Sequence, residues 1–114
     1  MQLTTTRHAN GLLVQVGEQR IDAASAIRFK DDMREIVEQS DGRVVLDLGQ
    51  VQFLDSSGLG AVVSVMKILA PARPLELARV TPTVARVLQL TRMDRVMRIH
   101  EGLPDDLGQP GVAA

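Results

Sequence analysis

The segment FLDSSGLGAVVSV, Phe53 to Val65, sets one carboxylate, two adjacent hydroxyls and two glycines ahead of an almost wholly apolar run. A serine hydroxyl in such a place can attack a substrate, cap a helix, or accept a group transferred by another protein. Attack requires a base to take the proton. The chain has two histidines, His8 and His100, both in expected strand or turn positions remote from any second signature, and both read as surface side chains. Leu54 stands where a nucleophile elbow needs its first glycine. Gly58-x-Gly60 lacks the third glycine of a dinucleotide loop, and no Gly-Lys-Ser/Thr phosphate loop occurs. With no cysteine and two separated histidines, neither a disulfide nor a metal centre is expected. The chain reads as a non-enzyme without a cofactor.

Capping accounts for Asp55, Ser56 and Ser57 taken singly, because aspartate and serine satisfy the free N–H groups at a helix start. It does not account for Gly58 and Gly60. Each costs about 1 kcal/mol relative to alanine in a helical turn, and both are expected to leave room for another protein's backbone. The following run AVVSVMKILA carries two apolar stripes, Leu59, Val62, Val63 and Met66 on one, Ala61, Val65, Ile68 and Leu69 on the other. A helix on a sheet needs one such stripe. The second is covered by an overhanging loop or tail, or by a docking partner; Leu59, Val63 and Met66 are the candidates for the docked side.

Elements that would present this turn can be read on both sides of it. Leu3–Arg7 and Leu12–Val16 read as strands joined through His8-Ala9-Asn10-Gly11, which ends in a hairpin-forming Asn-Gly pair. Ala26, Phe29, Met33, Ile36 and Val37 recur at helical spacing within a predicted helix Ala23–Gln39, stopped by Asp41-Gly42. RVVLDL, Arg43 to Leu48, has the composition of a strand covered on both faces. The motif then opens a helix Ser57–Ala70. Leu75–Val80 alternates as a strand with one wetter face, and Thr81-Pro82 opens a helix with a hydroxyl cap and a proline in the first turn. Val96–His100 is a last strand. The order β-β-α-β-α-β-α-β calls for crossover connections, hence an α/β sandwich whose mixed sheet is parallel in its middle. Residues 1–101 read as one domain, and 102–114, with three glycines and two prolines, as a loose tail or a short terminal helix.

The 114 residues suffice for one core, and the apolar fraction of 45% with 24% charged is that of a globular chain. No run reaches the roughly 18 apolar residues of a membrane span, and the N-terminus lacks an apolar signal core; a cytoplasmic chain without membrane insertion is expected. The net charge of −1 gives no whole-molecule attraction to nucleic acid. Yet residues 66–100 carry seven basic side chains against Glu76 and Asp94, a net of +5, between flanks that each carry −3. That half is either an acidic-partner face or a set of arginines scattered over solvated surfaces, since they form no single run.

VVLDLGQVQFLDSSGLGAVV, Val44 to Val63, resembles the signature of STAS domains, specifically the anti-sigma-factor antagonists of bacterial partner-switching systems. GEQRID, Gly17 to Asp22, echoes that family's Gly-Glu-Leu-Asp loop with Gln19 and Arg20 making it longer, and the element order matches. The resemblance implies that Ser56, directly after the motif's aspartate, is phosphorylated by an ATP-using, histidine-kinase-like anti-sigma factor, with Ser57 the lesser candidate. It implies that Asp55 aligns or contacts that kinase, that Asp22 approaches the same site, and that a PP2C-type phosphatase resets the switch. Partner-binding positions are then Asp22, Asp55, Ser56, Ser57, Gly58, Leu59, Gly60, Val63 and Met66. Two other roles known among STAS-like domains stay open, a subunit of a lipid- or anion-transport complex and a stressosome-type scaffold. Homodimerisation is left open as well.

Overall fold

A computed structural model of the chain describes residues 1–69 and 71–111. In chain order it forms β1 (Leu3–His8), β2 (Gly11–Val16), β3 (Arg20–Ile21), α1 (Ala26–Glu38), β4 (Val44–Asp47), β5 (Phe53–Leu54), α2 (Ser56–Leu69), β6 (Glu76–Ala78), α3 (Pro82–Leu90) and β7 (Arg98–His100). The main sheet runs β1-β2-β4-β6-β7. β1 and β2 pair antiparallel across Ala9 and Asn10, with His8 opposite Gly11, so the hairpin lies where the Asn-Gly pair announced it. The remaining pairings are parallel, each joined by a helix, as crossover geometry demands. The mixed α/β architecture agrees with the sequence reading. Two elements escaped it: β3 and β5, which form a separate parallel ladder, Arg20 opposite Phe53 and Ile21 opposite Leu54. Two-residue strands are too short to show a period.

Strand alternation divides the core. Val14, Val16, Val44, Leu46, Leu75 and Leu77 turn one way and meet Phe29, Met33 and Val37 of α1 and Val62, Val65 and Leu69 of α2. Burial of each such side chain contributes about 1.5–3 kcal/mol, so this layer carries most of the apolar stabilisation. Helix α1 buries Ala26, Phe29, Met33 and Val37 of the predicted stripe, leaves Ile36 half-buried, and starts three residues late. The Asp22 carbonyl takes the Ser25 and Ala26 N–H groups at 3.0 and 2.8 Å, winding residues 22–25 into an entry turn instead of helix. Ala70, the expected end of the second helix, lies outside the described residues.

Three further expectations need correction. Thr81 does not cap α3; its hydroxyl donates to the Val51 carbonyl at 2.7 Å and ties the helix start to the β4–β5 loop. β6 has no wetter face, because Glu76, Leu77 and Ala78 are all buried. Glu76 is tolerated there because Arg43 holds it bidentately at 2.6 and 2.7 Å and His100 Nε2 meets Oε1 at 2.7 Å. Of the two forms expected for the C-terminal segment, residues 102–111 take the second, a short helix, and are not loose. A single 3-10 turn, Asp105–Leu107, drops Leu107 onto Leu13, Val45 and Ala78 on the second sheet face. Backbone bonds Ala9 N–H to Gln109, Asn10 N–H to Leu107 and Gly111 N–H to Arg7 lace the segment to the hairpin, and Arg43 reaches Asp106 at 2.9 Å. A side chain at Gly11 would stand 2.9 Å from Leu107 Cδ1, so the glycine shapes that seat. The histidines are correspondingly half-buried, not surface groups, with His8 Nδ1 2.9 Å from the Gly108 carbonyl.

Leu107→Ala is expected to lower unfolding free energy by about 2–4 kcal/mol, the range for truncating a buried leucine, measured by urea denaturation. Burial alone would raise Glu76, but Arg43 and His100 outweigh it and hold the carboxyl below its ordinary value of 4.5. A depressed carboxylate stabilises the fold above its unfolded value and loses that contribution as pH falls through the folded one. Stability should therefore fall below about pH 4.5, and Glu76→Gln should shrink the difference between pH 7 and pH 3. An unchanged difference would remove Glu76 from the account.

Candidate functional site

The sequence DSS opens α2 with Asp55 as its cap. Asp55 Oδ1 accepts the Gly58 N–H at 2.8 Å, and its carbonyl accepts the Leu59 N–H at 2.8 Å. Oδ2 does something a plain cap does not: it accepts the Ala23 N–H from the loop between β3 and α1 at 3.2 Å. One carboxylate thus staples two helix entries together. Asp22, from the adjoining loop, spends Oδ1 on the Ala24 N–H at 3.1 Å and the Ser25 hydroxyl at 3.3 Å, and Oδ2 on Arg20 Nε at 3.2 Å. The Arg20 guanidinium holds Asp22 below the usual carboxylate range, although burial pulls the other way, with the Ala24 N–H and the Ser25 hydroxyl assisting. Arg20 also lies over the Phe53 ring, Cζ 4.1 Å from its centroid, so the half-exposed aromatic is roofed by a cation.

Ser56 and Ser57 are both exposed on the first turn. Their N–H groups belong to the positive helix end that no earlier turn can pair. The two hydroxyls differ in setting. Ser57 lines a groove of about 350 Å³ between α1 and α2, shared with Ile27, Lys30, Gly60 and Ser64, whereas Ser56 stands outside it. Ile27 is 70% exposed, a large aliphatic group beside the open helix start.

The two glycines turn out to be different in kind. A Cβ on Gly58 would press against the Ile21 carbonyl oxygen and lie 2.8 Å from Leu54 Cδ1. Gly58 is buried, and the backbone it admits is the chain's own β3, so its expected place on a partner surface is corrected. Gly60 has nothing within 4 Å of its missing Cβ and is exposed; its lack of a side chain leaves the groove open at that point.

The helix stripes need a similar revision. Gly58, Ala61, Val62, Val65 and Leu69 form the buried side. Leu59, Val63 and Met66 are half-buried against the same core, so the chain itself covers part of what had been expected to face a partner. The exposed side is Ser56, Ser57, Gly60 and Lys67.

Asp22, Asp55 and Ser56 lie at neighbouring helix entries joined by the Ala23 N–H to Asp55 bond, with Ser57 and Gly60 beside them on the first turns of α2. His8 and His100 are engaged with Gly108 and Glu76 under the C-terminal segment. Arg20, Phe53, Ile27 and Lys30 were missed as neighbours of the site. Ile27 was detectable, since it is an isoleucine lying off the apolar stripe of its own helix. The Arg20–Phe53 stack was not, because it depends on the β3–β5 pairing.

Fold and motif together define a class, and the comparisons agree: the STAS domain model matches residues 2–105, and the chain belongs to that family. Among curated relatives, a protein of Bordetella bronchiseptica named as a candidate anti-sigma factor antagonist, BtrV, is 29% identical over 92 residues, covering 80% of this chain and 78% of its own. The anti-sigma F factor antagonist of Paenibacillus polymyxa is 27% identical over 103 residues, with 89% and 87% covered. Among solved structures, an anti-sigma-factor antagonist (STAS) domain protein of Planctomyces limnophilus superposes with a TM-score of 0.78 at 20% identity, covering 92% and 93% of the two chains. The Bacillus cell fate determinant SpoIIAA in its phosphorylated form gives 0.60 at 19% identity, with 88% and 92% covered. No helix among the described residues is long and apolar enough to cross a membrane.

Gly58→Ala should destabilise the fold by about 2–3 kcal/mol, as overpacking against backbone does, whereas Gly60→Ala should be neutral or stabilise by up to about 1 kcal/mol. Urea unfolding of the pair is the measurement, and equal effects would contradict the separation of the two glycines.

Proposed function

We propose that this protein is an anti-sigma-factor antagonist: it binds an anti-sigma factor in its unmodified form and loses that partner when Ser56 is phosphorylated. The carrying observation is the exposed Ser56 on the first turn of α2, beside the groove left open at Gly60 and the exposed Ile27. The names of the curated relatives support the same reading. The partner is an ATP-using, histidine-kinase-like protein that treats Ser56 as its substrate, and a PP2C-type phosphatase restores the hydroxyl.

The physics of release follows from the local charges. A phosphoserine adds roughly −1.5 to −2 charges and three acceptor oxygens. Free N–H groups at a helix start receive such an anion well, so modification leaves the fold intact. At the surface, however, the anion joins the Asp22 and Asp55 carboxylates and rises beside the groove that Gly60 leaves open. Repulsion and bulk then fall on the partner. Asp55 acts by position, since both its oxygens are already engaged within the chain, and Asp22 is likewise held by its own loop. Ser57, within the groove, is a contact residue and the lesser candidate for modification.

Incubation with the cognate kinase and ATP, followed by mass analysis, should put one phosphate on Ser56; phosphate on Ser57 alone would move the site, and none would refute the reading. Ser56→Asp should keep the native melting temperature within about 2 °C while losing kinase binding in calorimetry. Ser56→Ala should bind irrespective of ATP. An unfolded Ser56→Asp variant would overturn the claim that the helix start accommodates charge.

A further inference from the structure

Strand β7 is the outer strand of the main sheet, and among the described residues nothing pairs with its far side. Arg98 donates its N–H to the Leu75 carbonyl at 3.2 Å. Strand alternation therefore turns the N–H and C=O of Ile99 outward, an unused donor and acceptor on an open edge. Around them lies an unusual surface for a small domain. Of the six large exposed hydrophobic side chains among the described residues, four fall within residues 90–103: Leu90 at 72%, Val96 at 54%, Ile99 at 38% and Leu103 at 40% exposure. Arg92, Arg95 and Arg98 recur every three residues through the same stretch, all exposed and in no ion pair among the described residues. Arg92 closes α3 in the left-handed region, φ 61°, a conformation costing a non-glycine residue about 1–2 kcal/mol. Glycine would serve that helix end with less strain.

Edge strands are commonly guarded by charge and shortness, and arginines alone would fit that role. Guarding gives no reason to leave aliphatic groups bare between the charges. The charges also decide between occupants. A second copy set edge to edge would bring two sets of the same arginines together. A lipid surface would have to accept Asp94 and Glu101, both exposed beside the apolar groups. An acidic strand meets the same two carboxylates, but Arg92, Arg95 and Arg98 outnumber them, and unlike a lipid surface it can pair with the outward N–H and C=O of Ile99.

We propose that the β7 edge is a second docking surface, separate from the Ser56 site, which takes an extended segment of another protein that alternates acidic and aliphatic side chains and adds to the sheet as a sixth strand. Backbone bonds to Ile99 supply the pairing, Arg92, Arg95 and Arg98 select acidic residues, and Val96 and Ile99 take the aliphatic ones.

The test titrates the isotopically labelled full chain with a blocked seven-residue peptide alternating glutamate with valine or isoleucine, and with its lysine-for-glutamate analogue, following backbone amides by NMR. Saturable shifts confined to residues 92–101, seen with the acidic peptide alone, are expected. Binding should weaken at least tenfold in Arg95→Glu/Arg98→Glu. It should weaken similarly in Ile99→Pro, which removes the outward N–H and leaves the charges in place. Arg95, in the turn before β7, and Arg98 and Ile99, on the strand itself, are all exposed, and unchanged circular dichroism confirms that each variant is folded. Equal response to both peptides, shifts at β1 instead, or retained binding in either folded variant would overturn the proposal. So would sedimentation showing dimers lost in Arg95→Glu/Arg98→Glu, or capture of the chain by phosphatidylserine vesicles in preference to the peptide. Kinase binding at the proposed Ser56 site should be unaffected by these variants, so the two surfaces fail or succeed separately.

Discussion

The site depends on one steric contact: the backbone of Ile21 lies against α2 so closely that only hydrogen fits at Gly58. That contact draws the two-residue ladder β3–β5 over the helix start and lets Asp55 bridge Gly58 and Ala23 with its two oxygens. Without it the loops carrying Asp22 and Ser56 would be independent, and the hydroxyl would have no defined orientation. The glycine costs helical propensity and returns close packing, which is why its presence in the first turn is a feature of the fold before it is a feature of any interface.

Polar groups are engaged on the other face of the sheet as well. Glu76 is drawn into the sheet by Arg43 and His100, and Arg43 extends the network to Asp106, so one guanidinium joins β4, β6 and the C-terminal segment. Asp47 is similarly shared by Gln15, Gly49 and Arg79, the last in the left-handed region just after β6. Buried carboxylates of this kind are costly unless every lone pair is used, and no buried side-chain nitrogen or oxygen among the described residues lacks a partner.

Function on such a domain is a matter of what its exposed turn presents. The serines present hydroxyls at a place where the backbone welcomes negative charge and the surrounding carboxylates do not. On the proposed reading, this opposition is what would let a phosphate on Ser56 leave the fold intact while altering what docks on it.

Sequence alone determined the helical stripe of α1, the hairpin at Asn10-Gly11, the parallel order of the central strands and the carboxylate-hydroxyl cluster at a helix start. All are local regularities of period, turn chemistry or capping, expressed within a few residues of themselves. Only the tertiary structure decided that Gly58 serves the chain's own β3 while Gly60 stays open, that Leu59, Val63 and Met66 are partly covered, that Glu76 is paired within the sheet, and that residues 102–111 cover a face instead of trailing from it. Each of these outcomes depends on a partner far away in the chain: Ile21 for Gly58, Arg43 for Glu76, the β1–β2 hairpin for Leu107. No window of neighbouring residues contains both halves of such a contact, and the free energy that selects it arises only when the sheet has brought them together.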